Sequence, residues 1–274
     1  KQQVRAFKDW LKNRTNRKGE ALSLVYRYHV LRRLRLFFEW LSMQPHYKSK
    51  INPTVVEFLS LSKKETRIAI QPNKRKIPPL EDVIKVIESI DVQTEVDQRD
   101  RALLCFTLLT GARISAIYSL PMKAFEPDTL TVDQNPKFGV KTKFSKRIVT
   151  TFFPIEYEQA IHYFLDWYKY LERKKGFKAD DPIFPQSIIE NGKENISYYN
   201  TGEVEPLFWA SSNSVRKIFQ KHFLNAEVPY YHPHTFRHLV VKEFAKTRLT
   251  EEEKKAISQN LGHENTGTTF GSYG

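Results

Sequence analysis

The stretch RDRALLCFTLLTGARIS, residues 99–115, decides how the chain is to be read. Its apolar run contains no proline or glycine before position 111, so a strongly apolar helix is predicted over 99–110. Gly111 ends it, since glycine turns the chain out of a helix at little steric cost. Cys105 lies inside the run and reads as a small buried side chain rather than a reactive thiol. Working outward, the texture changes near 129–152. Thr129-Leu130-Thr131-Val132 and the run RIVTTFF at 147–153 read as strands of a small sheet or hairpin. Helices are expected again over 156–174, 212–223, 235–247 and 251–260, with an irregular loop region over 180–208. On the upstream side, Pro79-Leu80-Glu81-Asp82 leads into Val83, Ile84, Val86 and Ile87, a helix with acidic residues in its first turn. The fold class predicted is α+β, mainly α with a small β-sheet.

The first part of the chain is different. Residues 20–44 place Leu24, Tyr28, Leu31, Leu34, Phe38 and Leu41 at intervals of three or four, the period of an amphipathic helix. Arg27, Arg32, Arg33 and Arg35 occupy much of the remaining circumference, and Pro45 marks the end. A shorter helix is expected over 4–12. Asn52-Pro53 opens another, running through Val55, Val56, Phe58 and Leu59. The segment QPNKRKIPP, residues 71–79, has the proline and charge content of an extended linker. These features predict a basic, all-helical domain over 1–76 and a second domain over 77–274.

A chain of 274 residues with 40% hydrophobic content can build real cores. The net charge of +13 is unevenly divided. Residues 1–79 carry 19 Lys and Arg against 5 Asp and Glu, whereas residues 80–274 carry 25 against 26. Basic groups confined to one region suit a polyanion, because they release counterions from a phosphate backbone. Arg27, Arg32, Arg33, Arg35, Lys74, Arg75 and Lys76 are the expected phosphate contacts; the bland alternative is a solvated basic face. No segment approaches the roughly 20 apolar residues that span a bilayer, and no secretory segment opens the sequence. One cysteine excludes an internal disulfide. A soluble, cytoplasmic protein without a membrane partner is expected. Lys1 stands where a complete chain would have methionine, as in a fragment.

Three patterns in the second domain carry candidate chemistry: Thr110-Gly111-Ala112-Arg113, then His232-Pro233-His234-Thr235-Phe236-Arg237-His238, then Leu261-Gly262-His263, ten residues before Tyr273. Each alone is weak. Two arginines and several histidines delivered to one place would suit a phosphodiester, because the guanidinium fork matches two phosphate oxygens. Charge building on a pentacoordinate phosphorus needs that support where it develops. A tyrosine hydroxyl, with a pKa of about 10, can attack phosphorus where a cationic pocket favours the phenolate. That chemistry needs no metal or other cofactor. His232, His234 and His238 also raise a zinc reading, but no cysteine is near and no glutamate supplies the base of an H-E-x-x-H site. Tyr198, Tyr199, Tyr230 and Tyr231 are rival tyrosines that read as packing or DNA-facing residues. Lys174 and Lys175 read as a solvated helix end.

The order T-G-x-R, H-x-x-R-H, L-G-H and then a tyrosine resembles the tyrosine recombinases, the phage-type integrases. The resemblance spans 110–273, and the basic helical segment in front is similar to that family's core-binding domain. It implies a catalytic set of Arg113, His234, Arg237, His263 and Tyr273, completed by a hairpin lysine. That lysine falls in Lys141-Thr142-Lys143-Phe144-Ser145-Lys146-Arg147, where Lys141 is chosen and Lys143 is the rival. The resemblance further implies a partner in double-stranded DNA at a specific recombination site, with two protomers on each site and four in a synapse. A DNA-associated location and a 3′-phosphotyrosyl intermediate follow from it. Two alternatives remain: a catalytically inactive DNA-binding relative, and DNA relaxation of the type IB topoisomerase kind. The sequence departs from the family at Ala116, where an acidic residue is usual, and in a tyrosine ten rather than nine residues after the histidine. The family usually continues past the tyrosine with a segment that docks on a neighbouring protomer, so a chain stopping at Gly274 is expected to assemble weakly.

Overall fold

The computed structural model describes residues 1–71, 76–191 and 198–272. Two compact units divide the chain, Lys1–Lys74 and Arg75–Gly274.

The first unit is all helical. Helix α1 spans Gln2–Asn13 and α2 spans Leu24–Ser42. Ser23 caps α2 by accepting a hydrogen bond from the Tyr26 amide at 3.2 Å, which is why the helix starts there and not at residue 20. The helix expected from Asn52 onward is a single turn, α3 (Pro53–Val56), because the next residues, through Ser60, leave the helical path. A further helix that the sequence reading passed over, α4 (Lys63–Ala69), follows a capping box in which Ser62 and Glu65 satisfy each other's backbone amides. Leu11, Leu31, Val56 and Leu59 form the small core.

The second unit begins with α5 (Leu80–Glu88) and α6 (Glu95–Thr110). Thr94 and Asp97 form a capping box, so α6 starts four residues before the predicted position. From Ala102 to Thr110 every residue of α6 is buried. A short turn α7 (Ile114–Ile117) leads into a three-stranded antiparallel sheet of β1 (Phe125–Glu126), β2 (Thr131–Gln134) and β3 (Ile148–Thr151), in the order β1-β2-β3. Thr131 pairs with Thr151 and Gln134 with Ile148. Helix α8 (Gln159–Arg173) packs along α6, and Phe106 meets Phe152, Phe164 and Phe184 at ring distances of 6.0, 5.0 and 5.3 Å. Lys175, just past α8, lies 3.0 Å from Glu95 rather than in open solvent.

The region 180–208 is not irregular throughout. It holds a second antiparallel pair, β4 (Gln186–Asn191) and β5 (Tyr198–Glu205), tied to the start of α6 by the Val204 amide donating to Glu95 at 2.8 Å. Helices α9 (Ser212–Asn225), α10 (His234–Phe244), α11 (Glu251–Asn260) and α12 (Thr266–Ser272) complete the unit. A buried network joins α6 to α9. Arg99 donates to Asp100, Ser187 and the Pro185 carbonyl, and His222 Nε2 lies 2.9 Å from Asp100. Burial alone would raise the Asp100 pKa, but Arg99 and His222 outweigh it and hold the carboxyl below its usual range. Among the described residues, no helix is long and apolar enough to cross a membrane.

Candidate active site

Two glycines fold the site together. Gly111 closes α6 at φ +55°, and a Cβ there would lie 3.0 Å from Leu261 Cδ2 and 3.6 Å from the Arg237 Cα. Gly262 has φ +70°, and its Cβ would fall 2.5 Å from Ile148 Cδ1 on β3. Only glycine permits both the left-handed turn and the close approach. The end of α6, the start of α10, the start of β3 and the α11–α12 junction therefore converge.

Arg237 stands at the centre. It is 2% exposed, within the first turns of α10. Nη1 donates to the Gly111 carbonyl at 2.9 Å, and Nη2 donates to the Leu261 carbonyl and to His263 Nε2, the latter at 2.9 Å. A guanidinium can only donate, so His263 Nε2 must accept and its proton sits on Nδ1, from which it donates to Thr269 Oγ1 at 2.9 Å. Burial, followed by the positive charges of Arg237, Arg113, His234 and Lys143, pushes the His263 pKa down to about 4. The imidazole is neutral at neutral pH. His234, the first residue of α10, lies edge-on to His238 with ring centroids 5.5 Å apart, and its backbone amide donates to His232 Nδ1 at 3.2 Å.

Arg113 is half-buried at the N-terminal edge of α7. Arg113, His234, Arg237 and His263, called from four separate positions in the sequence, thus share one electrostatic neighbourhood. Ala116 is buried in the apolar core, so the usual carboxylate at that position is replaced by packing. The Lys141 amide donates to Ser119 Oγ at 2.8 Å, while its ammonium lies 4.9 Å from the centre of the Tyr118 ring. Lys143 starts a short 3₁₀ turn, and its charge is felt at His263. Tyr273 lies outside the described residues, as do Lys74 and Arg75; α12, four of whose residues follow Thr269 or include it, leads toward Tyr273. Thr269, fully buried and bonded to His263, was missed because a threonine in a Thr-Gly-Thr-Thr run carries no signal of its contact. Tyr230 and Tyr231 pack on Phe223, at ring distances of 6.2 and 6.0 Å. Among the described residues, no group of three or more His, Cys, Asp or Glu is arranged to hold a metal.

The first-unit arginines do not form one stripe. At about 100° per residue they spread around α2. Arg32 and Arg33 are exposed, whereas Arg27 and Arg35 are half-buried. Arg35 pairs with Glu39 at 2.7 Å, and Arg27 helps to hold the Glu65 carboxyl below its usual range, behind the larger effect of the Ser62 hydrogen bonds. Lys76 is exposed.

No curated protein sequence matches the chain. Solved structures resemble it in fold. The post-cleavage complex of the XerH site-specific recombinase with a palindromic difH substrate is 16% identical, with a TM-score of 0.59, over 97% of this chain and 67% of that one. A lambda integrase dimer bound to a COC′ core site is 13% identical, with a TM-score of 0.53, over 99% and 76%. The XerA recombinase is 14% identical, with a TM-score of 0.50, over 99% and 82%. The pattern of the phage integrase family matches residues 80–274, the span that holds Arg113, His234, Arg237 and His263. The chain therefore belongs to the phage integrase family, the tyrosine recombinases.

Proposed function

We propose that this recombinase cuts and rejoins double-stranded DNA at specific sites through Tyr273, with Arg113 and Arg237 gripping the scissile phosphate. The observation that carries this reading is the buried Arg237, held by two carbonyls and a neutral histidine beside Arg113 and His234. An entering phosphate oxygen is a stronger acceptor than neutral imidazole, so it replaces His263 Nε2 as the acceptor of the Nη2 hydrogen bond. The Tyr273 oxygen then attacks phosphorus, and His234 assists removal of its proton. The phosphorus–oxygen bond to the 5′-carbon side breaks, and the departing 5′-oxygen takes a proton from a hairpin lysine. Lys143, whose charge reaches His263, is favoured for this over Lys141. The 3′-phosphotyrosyl link keeps the bond energy, so attack by a 5′-hydroxyl of the partner strand reseals DNA without a nucleotide cofactor. His263, with its proton on Nδ1, hydrogen-bonds the phosphate only after its tautomer changes.

In this reading the basic first unit, with Arg32 and Arg33 foremost, supplies sequence-independent phosphate contacts, and two protomers act on each site and four in a synapse. The test is incubation with a nicked suicide substrate carrying the cognate site. A covalent adduct lost in Tyr273→Phe supports strand transfer. Tight binding without an adduct favours the catalytically inactive DNA-binding reading, and relaxation of supercoiled plasmid at many sequences favours the topoisomerase reading.

A further inference from the structure

The connection between β2 and β3 presents an aromatic ring to solvent in an unusual way. Phe144 is 88% exposed, and both it and Ser145 have left-handed backbones, at φ +60° and +51°. Side chains with a Cβ rarely adopt this region, and two in succession persist only where the surroundings impose it. The surroundings here do so at both ends. Before the turn, the Lys141 amide is bonded to Ser119 Oγ at 2.8 Å. After it, Lys146 pairs with Glu264 at 3.0 Å, and Arg147 grips both oxygens of Asp133 at 2.8 and 2.9 Å. The ring is thus held out by a clamped loop and not by a loose one.

What the ring meets is indicated by its neighbours. Lys141, Lys143, Lys146 and Arg147 surround it in sequence, and the Lys143 ammonium lies 4.9 Å from the ring centre. An open cleft lined by Lys146, Arg147, Gly262, His263 and Glu264 joins the end of this loop to His263. Such a cationic rim disfavours a protein partner with a dry apolar surface and suits a phosphate backbone, whose bases offer flat faces beyond the charges. Apolar side chains inserted between base steps unstack them and kink the duplex.

We propose that Phe144 is a wedge that enters a base step beside the scissile phosphate, while the flanking lysines hold the backbone on either side of it. This rests on the recombinase reading above, and it assigns the ring a ligand: a partly unstacked base step of duplex DNA. The left-handed turn keeps the ring extended before DNA arrives, so no ordering of the loop opposes insertion.

Binding to a short paired duplex and to the same duplex carrying one abasic step, at fixed salt, tests it. The whole chain should prefer the abasic duplex by about tenfold, since a wedge gains most where unstacking is already done. Phe144→Ala should lose that preference while keeping its affinity for paired DNA within about threefold, because the phosphate contacts carry that affinity. Phe144→Trp should keep the preference, and 2-aminopurine placed next to the abasic step should brighten with the wild type and not with Phe144→Ala. A Phe144→Ala protein that keeps the full preference overturns the wedge and leaves the recombinase reading intact. A wild-type protein that binds no DNA overturns both. The ring is exposed, so its removal leaves the packed core untouched.

Discussion

Helices α2 and α6 are both rich in apolar residues, yet they do opposite things with them. In α6 every residue from Ala102 to Thr110 is buried, with α8 and α10 packed around it. In α2 only Leu31 is buried, and Tyr26, Leu36, Phe37 and Trp40 are exposed. A helix that is apolar all round is fully covered only when other surfaces surround it, and the first unit is too small to surround α2. The second unit can hold reactive groups in place with its own packing. The first unit offers surface.

Substituting the two helices in parallel gives the largest contrast. Phe106→Ala should cost about 3–5 kcal/mol in unfolding free energy, as a buried ring lost from a close-packed core, whereas Trp40→Ala should stay within about 0.5 kcal/mol of wild type. Denaturant unfolding of both variants measures this, and equal losses would end the comparison. Within the packed unit, Arg237→Ala should lower the rate of covalent adduct formation by about 10²–10³. An equal fall in Arg32→Ala would show that phosphate contacts in the first unit matter as much as the buried clamp.

A pH effect of similar size should come from His263. The folded protein binds a proton there only near pH 4, against 6.5 for an ordinary imidazole, so between these values the unfolded state holds more of it. The stability this group contributes is complete above about pH 6.5 and falls by up to about 3 kcal/mol as the pH drops toward 4. Chemical denaturation across that range should show the slope, and His263→Gln should flatten it. The smallest effect sharpens the role of α12. Thr269→Val leaves the Nδ1 proton of His263 without its acceptor, at a cost of about 1–3 kcal/mol. Thr269→Ser should restore both stability and adduct formation; if Val performs as well as Ser, the hydroxyl does not position His263.

The sequence was most legible where periodicity and order coincided. The 99–110 helix, the long α2 and helices α9, α10 and α11 were legible from sequence pattern, and Arg113, His234, Arg237 and His263 were picked out by their order along the chain. Legibility failed where structure depends on remote partners. The β4–β5 pair escaped because YYNTGEVE is polar and lacks a clean alternation, and its place is fixed by Glu95, about a hundred residues away. Helix α12 was missed because Thr-Gly-Thr-Thr-Phe-Gly-Ser has poor helix propensity, and the bond from Thr269 to His263 compensates only in three dimensions. The arginines of α2 read as one contact set, because the sequence could not say that Glu39 pairs with Arg35 or that Arg27 is half-buried.

Cys105 gives the packing of α6 a practical meaning. It is the chain's single sulfhydryl, fully buried, and burial pushes its pKa up so that almost no thiolate exists at neutral pH. An alkylating reagent can reach it only when α6 parts from its neighbours. The rate of alkylation is therefore a clock for the opening of the second unit, built into the unaltered protein.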